Sequence, residues 1–465
     1  MSFCNLANLK KAFFYLQKNG IRKTGYAIRE RMDRRRELSY VYMPVSAEVL
    51  ESQRRKAEEM LVNGEAPVFS ILVPAYRTGQ EFLFDLLDSL ESQSYPYWEL
   101  ILADASEDDA VEKGLKKWQQ DRGMEERIRY IRLPENGGIS VNTNQALTYV
   151  TGDYVGLLDH DDVLTADALY EMAVAVLRAR RAGTTPGMLY SDEDKCNGDK
   201  STYYEPHYKE DINLDLLFSN NYICHFLVME RQLLQELKLR KEFDGAQDYD
   251  LVLRAVNRIW PDQEQILHIP KVLYHWRCHV GSTAENPRSK LWAYEAGCRA
   301  LQAMVDLRGY QARAEHTEHM GFYRLQYLGD IWNSRPMLGT VGGCVLQRNH
   351  LTGGRYTREG ELLYKGLHKG YSGYMHRAAM TQDAWAVDIR CIAVAPTLRE
   401  DFGRVMGVPY KGRTLQDDAG NCWEIFDVAV LPRDTDYRAL SLEWGRELEQ
   451  RGYHAIWNPS LKIEG

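Results

Sequence analysis

Three carboxylates stand within four residues at Asp159-His160-Asp161-Asp162, directly after the apolar run Tyr154-Val155-Gly156-Leu157-Leu158. In a dry site such carboxylates repel one another unless a cation or hydrogen bonds compensate them. A hard divalent ion does so, because Mg2+ and Mn2+ take oxygen ligands and commonly bind through one or two carboxylates plus substrate phosphate oxygens. Standing alone, the string reads as a solvated turn or a helix N-cap, since the chain from Thr165 onward has helical character. Other segments carry compatible groups. Asp104 closes the apolar run Trp98 to Ala103, and Asp248 begins a helical stretch, where it serves as an N-cap, a proton acceptor or both. His275 and Arg277 follow a further strand-like run, where a neutral imidazole can ligate a metal and a guanidinium can hold an anion. Ser191-Asp192-Glu193-Asp194-Lys195 offers carboxylates to hydroxyl groups, with a plain charged turn as its alternative. Trp276, Trp292, Tyr203 and Tyr204 are either stacking platforms or core aromatics.

The elements that must position these groups follow from periodicity. Val68-Phe69-Ser70-Ile71-Leu72-Val73-Pro74 is a short β-rich run, and Phe82 to Ser92 continues with helical spacing. Strand-like runs recur at Trp98 to Ala103, Ile128 to Leu133 and Tyr154 to Leu158, with helical stretches at Val111 to Gln120 and Ser140 to Val150 between them. Gly137-Gly138 permits the turn into the last of these helices. Alternating strands and helices imply a mainly parallel central sheet flanked by helices, an α/β class, with ligands bound beyond the carboxyl ends of the strands. Asp104 and Asp159 both sit at such ends.

The bulk properties narrow the function. A chain of 465 residues that is 44% hydrophobic and 27% charged is the composition of an ordered globular protein, too long for one ordinary core. Its formal net charge of -8 disfavours a nucleic-acid partner, which calls for a basic surface. The cysteines are scattered without metal or disulfide spacing, which suits a reducing, cytoplasmic setting. No signal-peptide pattern and no run of about 18 apolar residues is present. Residues 1–66 read as basic amphipathic helices, with Leu9, Phe13, Leu16, Ile21, Tyr26 and Ile28 among lysines and arginines. They either pack on the main domain or touch an anionic membrane surface.

The ordered set Phe69 to Tyr76, Glu135-Asn136-Gly137-Gly138-Ile139-Ser140, Leu158 to Asp162, Tyr190 to Lys195, Gln247 to Arg254 and His268 to Arg277 resembles family 2 glycosyltransferases over roughly residues 67–285. Within that family it is similar to the bacterial subgroup that builds surface polysaccharides such as O-antigen and rhamnose-rich polymers. The resemblance implies a GT-A fold over 67–325 and an enzyme that transfers a sugar, with inversion, from a nucleotide-diphosphate donor to a glycan or lipid-linked glycan acceptor, using Mn2+ or Mg2+. It makes Pro74, Ala75, Tyr76, Asp104, Gly138, Asp159 and Arg277 the donor-binding residues, and Asp161, Asp159 and His275 the metal ligands. Asp248 becomes the base, although Gln247 stands where many relatives have glutamate. Asp192, Glu193, Gln247 and Trp276 become the acceptor or sugar contacts, and Asp250 a support of the fold. Ala105-Ser106 depart from the acidic residue and glycine that many relatives carry after the position of Asp104. A non-catalytic, glycan-binding scaffold of the same fold is the alternative.

Residues 326–465 form a C-terminal α/β domain that resembles a partial second GT-A unit. Asp434 to Tyr437 followed by Ile456-Trp457-Asn458-Pro459 parallels the stretch from Gln247 to Pro270, as a weak internal repeat. Between Tyr327 and Leu338 there is no room for another nucleotide-binding half, so an accessory role is expected. Gly370 to Arg377 reads as a ligand loop or a tight structural loop.

Overall fold

The computed structural model describes residues 6–37, 40–120, 122, 124–260, 262–279 and 291–465. Part of the expected N-terminal helical region (1–5, 38 and 39) and the far end of the family resemblance (280–285) lie outside the described residues. The chain divides into two compact units. One comprises Ser39–Ile212 and Asn221–Met304; the other comprises Met1–Leu38, Asn213–Asn220 and Val305–Gly465. The division differs from boundaries at 66 and 325 read along the sequence, because a short internal segment and the first helix both group with the C-terminal residues. These are called the first and second unit. Two helices, α1 (Leu6–Glu37) and α2 (Ala47–Val62), occupy the expected N-terminal region, the former broken by Gly20 at φ 76°.

In the first unit the order is β1 (Phe69–Ala75), α3 (Gln80–Glu91), β2 (Trp98–Asp104), α4 (Ala110–Gln119), β3 (Ile128–Arg132), α5 (Ile139–Ala146), β4 (Tyr154–Leu157), β5 (Val163–Leu164), α6 (Ala168–Arg181), β6 (Met188–Asn197) and β7 (Tyr203–His207). After α7 (Leu214–Ser219), which belongs to the second unit, come β8 (Leu227–Glu230), α8 (Arg231–Leu237), α9 (Gln247–Ile259), β9 (Ile266–Cys278) and α10 (Leu291–Leu307). The nine-stranded sheet runs β3-β2-β1-β4-β8-β6-β9-β5, with β7 paired to β6. Its first four strands are parallel, as the alternation of runs predicts; β8 then enters antiparallel on both sides, and β6 and β9 are parallel to each other. The sheet is therefore mixed rather than mainly parallel beyond β4. Phe69, Ile71, Leu72 and Val73 of β1 have no exposed surface, as a strand covered on both faces requires. Leu83, Leu86, Leu87 and Leu90 of α3, at helical spacing, are buried in the same core, each contributing about 1.5–3 kcal/mol. Strand register sets Ala75, Asp104 and Arg132 abreast at the carboxyl edge.

The second unit continues with β10 (Ala312–His316), β11 (Tyr323–Tyr327), α11 (Ile331–Ser334), β12 (Leu338–Gln347), β13 (His350–Gly353), β14 (Arg355–Tyr356), β15 (Gln382–Ala384), β16 (Ala386–Val387), β17 (Ile392–Val394), α12 (Arg399–Met406), β18 (Gly412–Gln416), β19 (Cys422–Phe426), α13 (Tyr437–Gln450) and β20 (His454–Glu464). Its main sheet runs β15-β20-β12-β17-β19-β18, with β13 on β12. The pairing around β12 repeats that around β6. Each strand has a hairpin partner after it, an antiparallel neighbour, and a parallel partner that follows a helix: β7, β8 and α9–β9 for β6, and β13, β17 and α13–β20 for β12. The segments matched in the sequence as a weak repeat are the two helix–strand pairs. Nothing in this sheet corresponds to the parallel set β3-β2-β1-β4. The core gathers Phe402, Trp444 and Trp457. A fully buried Arg335 grips Asp215 of α7 with two nitrogens, at 2.8 and 2.7 Å.

Candidate active site

The acidic segment occupies the turn between β4 and β5, closed by the Asp162 amide donating to the Asp159 carbonyl. Because β5 pairs with β9 at His275 and Tyr274, the end of β9 runs alongside. Each of the three carboxylates meets a different partner. Asp162 is buried and accepts from the Arg277 backbone amide at 2.7 Å and from the Tyr274 hydroxyl, tying the turn to β9. Asp161 lies 3.0 Å from His279 Nε2. Asp159, half exposed at 53%, faces His225 Nε2 at 3.8 Å. Desolvation, then the charges of Asp161 and Asp159, push the Asp162 carboxyl well above its ordinary range. Asp159 is raised too, first by desolvation, with His225 opposing and Asp161 and Asp248 adding. A turn with this much negative charge fits a divalent cation. Among the described residues no cluster of three or more His, Cys, Asp or Glu side chains is gathered for a metal. Asp161 and His279 supply two donors, the share such an ion takes from protein when phosphate and water complete its shell.

Alternation along β9 decides the fate of its functional residues. Tyr274 and Trp276 point toward His225, at ring-centroid distances of 4.9 and 5.6 Å. His275 and Arg277 point to the other side. The His275 Nδ1 is 2.5 Å from Asp194, and its ring is packed against Tyr42 and Tyr203. His275, read from sequence as a metal ligand, is thus not brought to Asp161; His279 is. Arg277 is wholly buried, donates to Asp85 of α3 at 2.8 Å and lies 4.8 Å from the Phe82 ring centre. Among the described residues its Nε and Nη2 have no hydrogen-bond partner.

A residue that sequence reading missed stands at the centre. His225 links Glu193, at 3.1 Å from its Nδ1, to Asp159. Burial alone lowers a histidine, but the hydrogen bond and charge of Glu193, then Asp159 and Asp162, raise His225 to about 9. It is therefore cationic at neutral pH. Burial also acts to raise Glu193, yet Lys209 at 3.6 Å and the hydrogen bonds from His207 and His225 bring it well below the usual range. Glu193 is engaged with its own protein, and so is Asp192, which accepts from the Lys209 amide at 2.8 Å and lies 2.9 Å from His268 Nε2. A lone histidine between Cys224 and Phe226 in a short apolar run carries no sequence signal of this role.

Asp248 is the second residue of α9, not its cap; Ala246 holds the cap position. The helix N-terminus favours a carboxylate there. Asp248 is half-buried and accepts from Asn221 at 3.1 Å. Gln247 turns back to accept from the Gly245 amide at 2.8 Å, closing the loop before the helix. Asp250 is clamped by Arg240 and Arg254, the supporting role expected of it. The loop before α9 also grips α5: Asp244 accepts from the Ser140 hydroxyl at 2.5 Å. Gly138, at φ 94°, leaves room for it, since a Cβ there would stand 2.8 Å from Asp244. On the edge of the parallel set, Asp104 is fully buried and accepts from Ser106 and Tyr130, with Arg132 at 3.4 Å. Pro74 and Ala75 end β1 beside it. Tyr76 donates to Glu107 at 3.0 Å, and Arg77 pairs with the same carboxylate.

Residues 70–238 match the model of glycosyl transferase family 2. The chain is 40% identical over 362 residues to the protein y4gI of Sinorhizobium fredii, covering 77% of this chain and 36% of that one. It is 34% identical over 265 residues to the O-antigen biosynthesis protein RfbC of Myxococcus xanthus, covering 56% of this chain and 20% of the relative. A third relative is the putative teichuronic acid biosynthesis glycosyltransferase TuaG of Bacillus subtilis, 27% identical over 37% of this chain and 66% of its own. The chain thus spans about a third or less of the first two relatives. Among solved structures, Staphylococcus aureus TarS residues 1–349 with UDP align over 51% of this chain and 65% of that one, at 19% identity and a TM-score of 0.39. Over residues 70–238, which lie in the mixed α/β sheet of the first unit, the chain is thus similar to glycosyl transferase family 2.

Proposed function

We propose that the first unit transfers a sugar from a nucleotide-diphosphate donor to a growing surface polysaccharide, on a glycan or lipid-linked acceptor, with inversion at the anomeric carbon. The observation that carries this reading is the pairing of a half-buried carboxylate at a helix N-terminus, Asp248, with the acidic turn whose Asp159 it influences electrostatically. Asp248, oriented by Asn221, takes the proton of the acceptor hydroxyl as its oxygen attacks the anomeric carbon. Asp161 and His279 would hold Mn2+ or Mg2+, which would neutralise charge on the leaving diphosphate. His225 places a fixed positive charge at Asp159 on the same side, and Trp276 beside it offers an aromatic face to a sugar ring. The reading keeps Pro74, Ala75, Tyr76, Asp104 and Gly138 as the wall of the donor site, on the carboxyl edge of the parallel strands.

The relatives' names support a place in polysaccharide biosynthesis. Among the described residues no helix is long and apolar enough to cross a membrane. Peripheral contact of a cytoplasmic protein with the inner membrane face is supported by Phe13, Ile21, Ile28 and Met32 of α1, which are 42–83% exposed among Arg22, Lys23, Arg29 and Arg31.

The test is incubation of the purified chain with a panel of sugar nucleotides and Mn2+, following release of nucleoside diphosphate. Asp248→Asn is expected to abolish transfer while donor still binds, and Asp161→Ala to weaken the metal-dependent part of donor binding. Full transfer by either variant removes the role assigned to that residue. Binding without any release by the unaltered chain would instead favour the glycan-binding scaffold.

A further inference from the structure

A cavity of about 330 Å³ lies in the second unit, within the range of roughly 300–1,000 Å³ that holds small molecules. Its wall combines two indoles, Trp332 and Trp423, with the side chains of Thr381, Asn458 and Arg399. Both indoles are only partly buried. Trp423 is fixed in place because its N–H donates to Asp417 at 2.9 Å. Flat apolar faces next to hydroxyl and amide groups match the chemistry of a sugar ring, whose C–H faces are apolar and whose edge is hydroxyl.

The charges on the wall argue against an anion. Arg324 pairs with Glu315 at 2.9 Å, and Arg399 pairs with Glu424 at 2.8 Å, so both guanidinium groups are committed to carboxylates. On the same wall Asp215 is matched by buried Arg335 and Glu424 by Arg399, which leaves Asp330 as the wall carboxylate without a cation among the described residues. A diphosphate would have to displace one of these ion pairs to gain a cation, whereas an uncharged polyol would find donors and acceptors without displacing a salt bridge.

We infer that this cavity binds a neutral saccharide, making the second unit a carbohydrate-holding module with a site of its own. The inference does not depend on the transfer reading, because every lining residue belongs to the second unit. The full chain is titrated with neutral disaccharides of glucose, galactose, mannose and rhamnose, with UDP and galacturonate as anionic probes, following tryptophan fluorescence. At least one neutral disaccharide is expected to give a saturable change, and the anionic probes are expected not to compete with it. Two variants locate the site. Trp423→Ala removes a stacking face. Gly329→Phe adds a bulky ring at the cavity wall, where the new Cβ meets only the flexible end of Gln311, at 3.0 Å. Each is expected to weaken binding about tenfold or more, with circular dichroism confirming the fold. Saccharide affinity unchanged in Gly329→Phe, competition by UDP or galacturonate, or no response to any neutral disaccharide from folded protein overturns the inference. Asp248→Asn is expected to keep full saccharide binding in this cavity, so failure of the transfer reading and failure of this one are separately visible.

Discussion

Of the three carboxylates in the turn after β4, Asp162 is spent on structure, while Asp159 and Asp161 face His225 and His279. Sequence spacing could single out the cluster but not assign its members, because each member's role is set by which residue of another strand approaches it. His225 shows the same limit. Its importance comes from Glu193 on one side and Asp159 on the other, more than thirty residues away along the chain. The cation at His225 leads to a prediction. His225→Gln keeps a donor for Glu193 but removes the positive charge, and turnover is expected to fall by about 10²–10³, the usual cost of losing one preorganised electrostatic group. Steady-state kinetics should show the loss in kcat rather than in KM for the donor. Turnover close to that of the unaltered chain would show that His225 only supports the fold.

At the scale of elements, the decisive features are strand ends and the loops that lock helices to them. Register brings Ala75, Asp104 and Arg132 into one row, so the edge predicted from alternating runs is formed. Alternation along β9 then separates Tyr274 and Trp276 from His275 and Arg277. The alternation of Tyr274 and Trp276 with His275 and Arg277 is legible in the sequence, but which of the two sets meets the acidic turn depends on the neighbouring strands. The α5 turn is held differently, by a glycine that must be a glycine. Gly138→Ala places a methyl group in the positive-φ region and against Asp244, and is expected to destabilise the first unit by about 1–3 kcal/mol. Gly183→Ala is the comparison, because Gly183 has φ +88° but open space where its Cβ would be. Urea unfolding should show the larger loss at Gly138; equal losses would mean that the Asp244 contact contributes nothing.

At the scale of the whole chain, two units with separate cores carry different polar centres, and that of the second unit should respond to pH. Asp383 accepts from the Leu214 and Asp215 amides. Burial, then the charge of Asp215, raises it to about 8. Stability from Asp383 is therefore full below its unfolded value of about 3.9 and is lost as pH rises through about 8. Burial and Arg335 lower His454 to about 4. Its contribution is full above its unfolded value of about 6.5 and is lost as pH falls through about 4. The two slopes oppose each other between these lower limits, which leaves Asp383 to weaken the unit from about pH 6.5 to 8. Asp383→Asn abolishes that loss, so its thermal midpoint relative to the unaltered chain is expected to climb steadily between pH 5 and 8. A pH-independent difference would rule out the titration of Asp383 as the cause.

Local pattern by itself determined a good deal: the strand–helix alternation, the turn that carries the acidic cluster, the carboxylate at the start of α9, and the weak repeat in the C-terminal residues. These are properties of spacing and composition, which survive without knowledge of neighbours. Tertiary structure alone decided that β8 enters the sheet antiparallel, that α7 belongs with the second unit, that His279 rather than His275 meets Asp161, and that His225 is held as a cation. Each of these depends on which distant segments become adjacent and on which face of a strand points inward. A one-residue change of phase reverses that face, and only the packed core fixes it.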